Sequence, residues 1–306
     1  MNIGVVGAGG IGSYYTGLLT RAGHTVRLLA RGEHLAAIQS SGLEVRTPTE
    51  TFTVSPEATD DGAALTDCEY VVVAVKGYSL AGVAPPLVSA AAQGATIVPL
   101  LNGVDIPERL MALGVPRAAI VGGLATVSLF RTVPGVVERK SPFDRVVLGE
   151  LDRAHPDRTA PLVEALAAAG VAARVSDDMM LDLWRKFAFI VPITVGCGLS
   201  RQPAGRVLAN PKGRALFAGA LHEIAEVSRT TSSPLLADDE SRLRDELFAL
   251  QPGMRPSFLV DLMAGGATEV DTLAGTVSRL GEERGVPTPI HDVATAAFEA
   301  ASQMPE

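Results

Sequence analysis

Hydrophobic positions along the first half of the chain come in short continuous runs, and polar, helix-forming stretches separate them. Asn2 to Val6 is one such run. It leads into a glycine cluster and then a helical pattern through Leu18, Leu19 and Ala22. Thr25-Val26-Arg27-Leu28-Leu29-Ala30 follows a helix stop at Gly23. Tyr70 to Val75 and Ala95 to Leu101 are further runs. Ala119 to Gly122, Gly135 to Glu138, Arg145 to Gly149 and Val171 to Val175 predict later strands, with a helix over Thr159 to Ala169. Continuous apolar strands fit a parallel sheet buried on both faces. Strands alternating with helices predict a doubly wound α/β domain.

Beyond Ser176-Asp177-Asp178 the pattern changes to long helical periods. Helices are expected over Met179 to about Val195, Lys212 to about Thr230, Ala237 to Leu250, Ser257 to about Arg284, and His291 to Ser302. The α/β-to-α change predicts two domains, 1–175 and 176–306. Two such domains leave a cleft, a common place for a substrate.

The glycine cluster carries the first chemistry. Gly7-Ala8-Gly9-Gly10-Ile11-Gly12 has the G-x-G-x-x-G spacing between a predicted strand and a predicted helix, the context that gives this motif its specificity. Gly7 permits the tight turn, Gly9 lets a pyrophosphate approach the backbone, and Gly12 lets the helix pack closely on the strand. The helix N-terminus then presents unpaired N–H groups to the phosphates. An NAD-binding unit carries Asp or Glu about 20 residues further on, for the ribose 2′-hydroxyl. Here Ala30-Arg31-Gly32 holds that place. No carboxylate repels a 2′-phosphate, and the Arg31 fork suits one. The expected cofactor is therefore NADPH; the alternative for Arg31 is a solvated loop arginine. Lys76 ends another predicted strand, as a cofactor contact or as a surface lysine. Asn102-Gly103 signals a turn, and at this end of the sheet Asn102 can also hydrogen-bond a nicotinamide or substrate group.

Composition narrows the classes. The chain has 306 residues, 47% of them hydrophobic, enough for two cores. No run approaches the ~18 uninterrupted apolar residues of a membrane span. Phe187 to Leu199 is broken by Pro192, Thr194, Gly196 and Gly198 and reads as a buried helix and its end. The predicted strand at Asn2 leaves no room for a signal peptide, so a cytoplasmic location is expected. Cys68 and Cys197 lie far apart, and the five histidines form no H-x-x-x-H pair. Apolar thiols in a reducing compartment, and no metal site, are the expectation. A net charge of −8 without a basic block argues against nucleic acid.

In the helical half, Lys186 lies among Trp184, Phe187, Phe189 and Ile190. Such a lysine either snorkels to water or sits in a functional pocket, and composition alone favours snorkelling. Glu269 is the second candidate. Ser257 lies twelve residues before it on the expected Ser257–Arg284 helix, a little over three turns, so the two share roughly one face. A charged, solvated helix face is the plainer reading.

With these residues in view, the chain resembles the ketopantoate reductase (2-dehydropantoate 2-reductase) family almost end to end. The likeness rests on the Gly7–Gly12 turn, Ala30-Arg31-Gly32, Val75-Lys76, Asn102-Gly103, Val133-Pro134-Gly135-Val136-Val137 and Leu148-Gly149-Glu150. It continues through Trp184-Arg185-Lys186, Pro256-Ser257-Phe258-Leu259-Val260-Asp261, Thr268-Glu269-Val270-Asp271 and Gly285-Val286-Pro287-Thr288-Pro289. Each motif is modest, but their order and spacing are specific.

The resemblance implies an N-terminal Rossmann domain, an all-α C-terminal domain of the 6-phosphogluconate dehydrogenase C-terminal-like kind, and an active site between them. It implies reduction of an α-keto acid by NADPH. Lys186 matches the family's catalytic lysine, Glu269 its active-site glutamate, and Ser257 a substrate-contacting serine. Gly7, Gly9, Gly10, Ile11 and Gly12 form the cofactor turn. Arg31 and Lys76 match cofactor contacts, and Asn102 a residue near nicotinamide and substrate. The resemblance shifts Lys186 from snorkelling to catalysis.

The chain departs from the family where asparagines usually stand four and eight residues after the lysine. Ile190 and Thr194 hold those substrate-facing places, Ala274 stands where Asn is frequent, and Pro192 is expected to bend the helix. A pocket that loses amides changes its substrate preference. Three readings stay open: reduction of 2-dehydropantoate or a related keto acid, with a role in pantothenate biosynthesis; reduction of a less polar ketone or imine; and a non-catalytic NADPH sensor. The expected partners are a small-molecule carbonyl or imine substrate, neither nucleic acid nor membrane. Helical second domains of this kind often pair, so a homodimer is an option that the sequence leaves open.

Overall fold

The computed structural model describes residues 1–152 and 158–302. The chain forms two compact units: Met1–Leu101 with Ile106–Met179, and Asn102–Asp105 with Met180–Glu306.

In the first unit, strands β1 (Asn2–Val6) and β2 (Thr25–Leu29) flank helix α1 (Gly10–Arg21), and α2 (Gly32–Ser41) follows β2. Next come β3 (Leu43–Arg46), β4 (Thr51–Val54), β5 (Glu57–Thr59), β6 (Tyr70–Val73), α3 (Leu80–Ala92), β7 (Thr96–Pro99) and α4 (Ile106–Ala112). The rest is β8 (Gly122–Thr126), β9 (Leu129–Val133), β10 (Val136–Arg139), β11 (Arg145–Gly149), α5 (Ala160–Ala168) and β12 (Ala172–Val175).

Five strands form a parallel sheet in the order β5-β2-β1-β6-β7. Alternate side chains point to opposite faces of a strand, and both faces are covered. Ile3, Val5, Tyr70, Val72 and Val98 enter one core. Val6, Val71, Val73 and Ile97 enter another. This double burial is why these strands read as unbroken apolar runs.

The expected doubly wound pattern does not extend through Val175 as one sheet. β4-β3-β10-β9 form a mixed four-stranded sheet, and β12-β11-β8 a three-stranded one. β3, β4, β5 and β9 escaped the pattern because they are short and, unlike β6 or β7, not buried at every position. The strand expected at Ala119–Gly122 begins at Gly122 instead. Arg117–Ala119 is a 3₁₀ turn, and Ile120 makes only an isolated bridge to Ile97.

The second unit is helical: α6 (Met179–Ser200), whose first residue belongs to the first unit, α7 (Ala204–Leu208), α8 (Pro211–Ser228), α9 (Ala237–Phe248), α10 (Ser257–Met263), α11 (Ala274–Arg284) and α12 (Pro289–Ser302). α6 runs through Pro192 and past the expected end near Val195. Its late glycines are approach points, not stops. A Cβ on Gly196 would collide with Phe217 of α8, and one on Gly198 with Phe298 of α12 and Phe258 of α10. Phe258 and Phe298 pack at 4.8 Å between centroids. Among the described residues α6 alone is long and apolar enough to cross a membrane, and 67% of its apolar window is buried inside the protein.

The single helix expected over Ser257–Arg284 is two helices. Gly265, with φ +69°, turns the chain after α10, and Gly266 to Glu269 are non-helical. Only glycine enters that backbone region without strain.

Candidate active site

The glycine turn behaves as its spacing predicts, but its glycines do different work. Gly7 has φ +103° and donates its N–H to the Leu29 carbonyl at 3.2 Å. A Cβ on Gly12 would fall within the carbonyl oxygen of Gly7, so α1 closes directly on the turn. A Cβ on Gly10 would press on Leu129 of β9. Gly9 faces open space, its nearest neighbour being the Ala74 carbonyl 3.9 Å from a built Cβ. Gly9 is also the N-cap of α1. No side chain caps this end, and its first turn holds no acidic residue. A helix N-terminus with that character favours an anion. Ile11 is half-buried beside it.

A residue that the sequence did not single out braces this turn. His34 of α2 is buried, and its Nδ1 accepts the Gly135 N–H at 2.9 Å. That bond makes Nδ1 the acceptor, so Nε2–H donates to Ser13 Oγ at 3.1 Å. Ser13 Oγ in turn donates to the Ala8 carbonyl at 3.1 Å. Burial and then the Arg131 charge push the His34 imidazolium below its ordinary range, which keeps this tautomer neutral. A lone histidine on a short helix carries no local signal of such a role.

Arg31 is exposed and extended just before α2, beyond the end of β2. Lys76 is half-buried three residues past β6, where it opens a short 3₁₀ turn. Gly7, Arg31 and Lys76 thus follow the carboxyl ends of three adjacent strands, where open α/β sheets bind ligands. The residues present fit a dinucleotide: an uncapped helix start, an open glycine and an exposed guanidinium.

The other candidates all lie in the second unit. Asn102, half-buried, follows β7 and precedes Gly103, whose φ is +139°. Lys186 stands on α6, which is held by its core face. Trp184 and Phe187 are buried edge-to-face at 5.9 Å, an arrangement worth about 0.5–1.5 kcal/mol beyond area burial. Arg185 donates to Asp239 at 2.8 Å, fixing α6 against the start of α9.

The Lys186 side chain is half-buried as a whole. Protein packs densely around its ammonium, and this desolvation lowers its pKa to about 8, opposed by the charge of Glu269. Glu269 is buried in the non-helical segment before α11.

The charge of Glu269 therefore acts on Lys186, whereas Ser257 and Glu269 do not share a helix. Ser257 is exposed at the first turn of α10. Ile190 and Thr194 follow Lys186 at helical spacing. Ile190 is half-buried, and Thr194 is buried with its hydroxyl donating to the Ile190 carbonyl at 3.0 Å. The Thr194 proton is thus spent within the helix.

The chain matches the family model "Ketopantoate reductase PanE/ApbA" over residues 3–153 and "Ketopantoate reductase PanE/ApbA C terminal" over residues 178–302. It belongs to the ketopantoate reductase family. It is similar to 2-dehydropantoate 2-reductase of Halobacterium salinarum, 28% identical over 292 residues, 95% of each protein. A solved PanE/ApbA family ketopantoate reductase from Ralstonia eutropha JMP134 superposes with a TM-score of 0.89 at 28% identity, covering 99% of this chain and 98% of that one. D-mandelate dehydrogenase, solved with NADH and anilino(oxo)acetate, shares the fold with a TM-score of 0.88 at 22% identity, covering 99% and 98%. The protein is an oxidoreductase of the ketopantoate reductase family, and relatives in this fold bind a nicotinamide cofactor.

Proposed function

We propose that this member of the ketopantoate reductase family is an NADPH-dependent reductase of an α-keto acid, either 2-dehydropantoate or a related compound. The observation that carries the reading is Lys186 on α6, its pKa lowered to about 8 by burial and opposed by the charge of the buried Glu269.

In this reading Gly7, Gly9, Gly10, Ile11 and Gly12 hold the pyrophosphate, Arg31 the 2′-phosphate, and Lys76 and Asn102 further cofactor groups. Bound NADPH supplies the hydride for the carbonyl carbon. The Lys186 ammonium donates a hydrogen bond to the carbonyl oxygen, stabilises the charge that develops there and gives up its proton. Glu269 opposes the effect of burial on Lys186 and keeps a larger fraction protonated near neutrality. Ser257 and Asn102 contact the substrate.

A second reading, a bulkier keto acid, a ketone or an imine, is favoured by one side of the lysine helix. Ile190 supplies an apolar surface and Thr194 has no proton to offer. The mandelate dehydrogenase relative was solved with anilino(oxo)acetate, a carboxylate that carries an aromatic ring beside its oxo group. The 2-dehydropantoate reading would place the chain in pantothenate biosynthesis.

Steady-state NADPH oxidation with 2-dehydropantoate, bulkier α-keto acids and a cyclic imine tests both readings. Turnover of a keto acid, faster with NADPH than with NADH, supports the proposal. Preference for the imine or a ketone moves the assignment to the second reading. Tight NADPH binding without turnover of any of them defeats both and leaves a nucleotide sensor.

A further inference from the structure

A buried polar network in the second unit ties two loops to one helix. Asp105 is 5% exposed, and its carboxylate accepts from the Arg279 guanidinium of α11 at 2.6 Å. The same carboxylate lies 3.2 Å from the Thr276 hydroxyl, one helical turn before Arg279. Thr276 is fully buried, and its hydroxyl also lies 3.0 Å from the Asp271 carbonyl. One hydroxyl proton faces two acceptors, so it bonds one of them at a time and keeps both within reach. Arg279 is held in turn by Glu283 at 2.7 Å, one turn further on.

The positions of these acceptors give the network its meaning. Asp105 comes three residues after Asn102, and Asp271 two residues after Glu269. Asn102–Asp105 leaves the first unit and packs as part of the second. The Asn102 loop and the Glu269 loop are remote in sequence and belong to no common element, yet both end on α11 through one threonine. The Thr276 hydroxyl is the group that reaches both acceptors.

We propose that Thr276, supported by Asp105 and Arg279, is a positioning residue that sets the Asn102 and Glu269 loops in one frame about α11. This rests on the roles given above to Asn102 and Glu269. None of the three touches a substrate in this scheme. Their effect is exerted through the loops, where a displacement of about an ångström is enough to slow a reaction.

The test uses the full chain with Thr276→Val, which keeps the shape and removes the hydroxyl, and Thr276→Ser, which keeps the hydroxyl. Asp105→Asn is the milder second variant, losing the charge that Arg279 holds. Two readouts are taken. One is kcat with the best keto acid. The other is amide hydrogen exchange over residues 102–105 and 270–273. Thr276→Val is expected to lower kcat about tenfold, to leave the KM for NADPH within about twofold, and to raise exchange in both segments together. Thr276→Ser restores both readouts.

An unchanged kcat with raised exchange overturns the positioning role. Exchange that rises in one segment alone, or in neither, overturns the tether itself. Failure of the unmodified protein to turn over any keto acid defeats the functional reading instead, and the paired exchange response is then read independently.

Discussion

The glycine turn of the first unit and the Lys186 site of the second are built in opposite ways. The turn uses consecutive residues, Gly7 to Gly12, and works by the absence of side chains. Its shape comes from backbone contacts, and its field comes from an uncapped helix start. The lysine site sets Lys186 under the charge of Glu269, a residue remote in the chain, and it works by charge in a desolvated setting. The difference teaches where each is vulnerable. The turn fails through added volume, and the lysine site through altered charge.

Lys186→Ala is the sharpest way to separate the two. Turnover should fall by about 10²–10⁴-fold, the usual worth of a positioned acid, while the NADPH dissociation constant stays within about twofold. Retention of most turnover would remove Lys186 from the chemistry.

Gly12→Ala attacks the other region. Its Cβ has no room beside the Gly7 carbonyl, and overpacking of this kind costs about 1–3 kcal/mol. NADPH affinity measured by fluorescence titration should drop about 10- to 100-fold, with the pH dependence of saturated turnover unchanged. A shift in that pH dependence would show that the regions are not independent.

The pH profile sharpens the comparison further. Reduction requires the Lys186 ammonium. The ammonium is lost as pH rises through its pKa of about 8, so kcat for reduction should decline above that pH. The reverse oxidation, which needs the free amine as base, should rise over the same range. Glu269 raises the lysine pKa, so Glu269→Gln should move the decline to lower pH. A decline that stays in place would show that Glu269 does not act on the lysine charge.

Thr194→Val is expected to have the smallest effect, less than about twofold in kcat/KM. Its hydroxyl already serves the Ile190 carbonyl, and a large loss would show that the hydroxyl reaches substrate after all.

Local patterns in the chain predicted some of this architecture and missed the rest for identifiable reasons. Strands buried on both faces, such as Tyr70–Val73, are apolar at every position and stand out. The exposed strand Leu129–Val133 does not, although its Leu129 backs the glycine turn. Gly196 and Gly198 look like helix breakers, yet they lie inside α6, where aromatic rings from three other helices need the space. Ser257 and Glu269 keep helical spacing across a segment that Gly265 breaks. His34 and Thr276 were not legible at all, because their partners are far away in the chain.

The sequence by itself determined the strand–glycine–helix start, the arginine where an acidic residue would select NAD, the change from α/β to helix, and the family. All of these depend on residues close together or on motif order. Only the tertiary structure decided the desolvation of Lys186, the charge of Glu269 acting on it, the neutral His34 brace and the joining of two loops at Thr276. Burial and charge coupling act through space, and their partners are set by packing between segments that no local period connects.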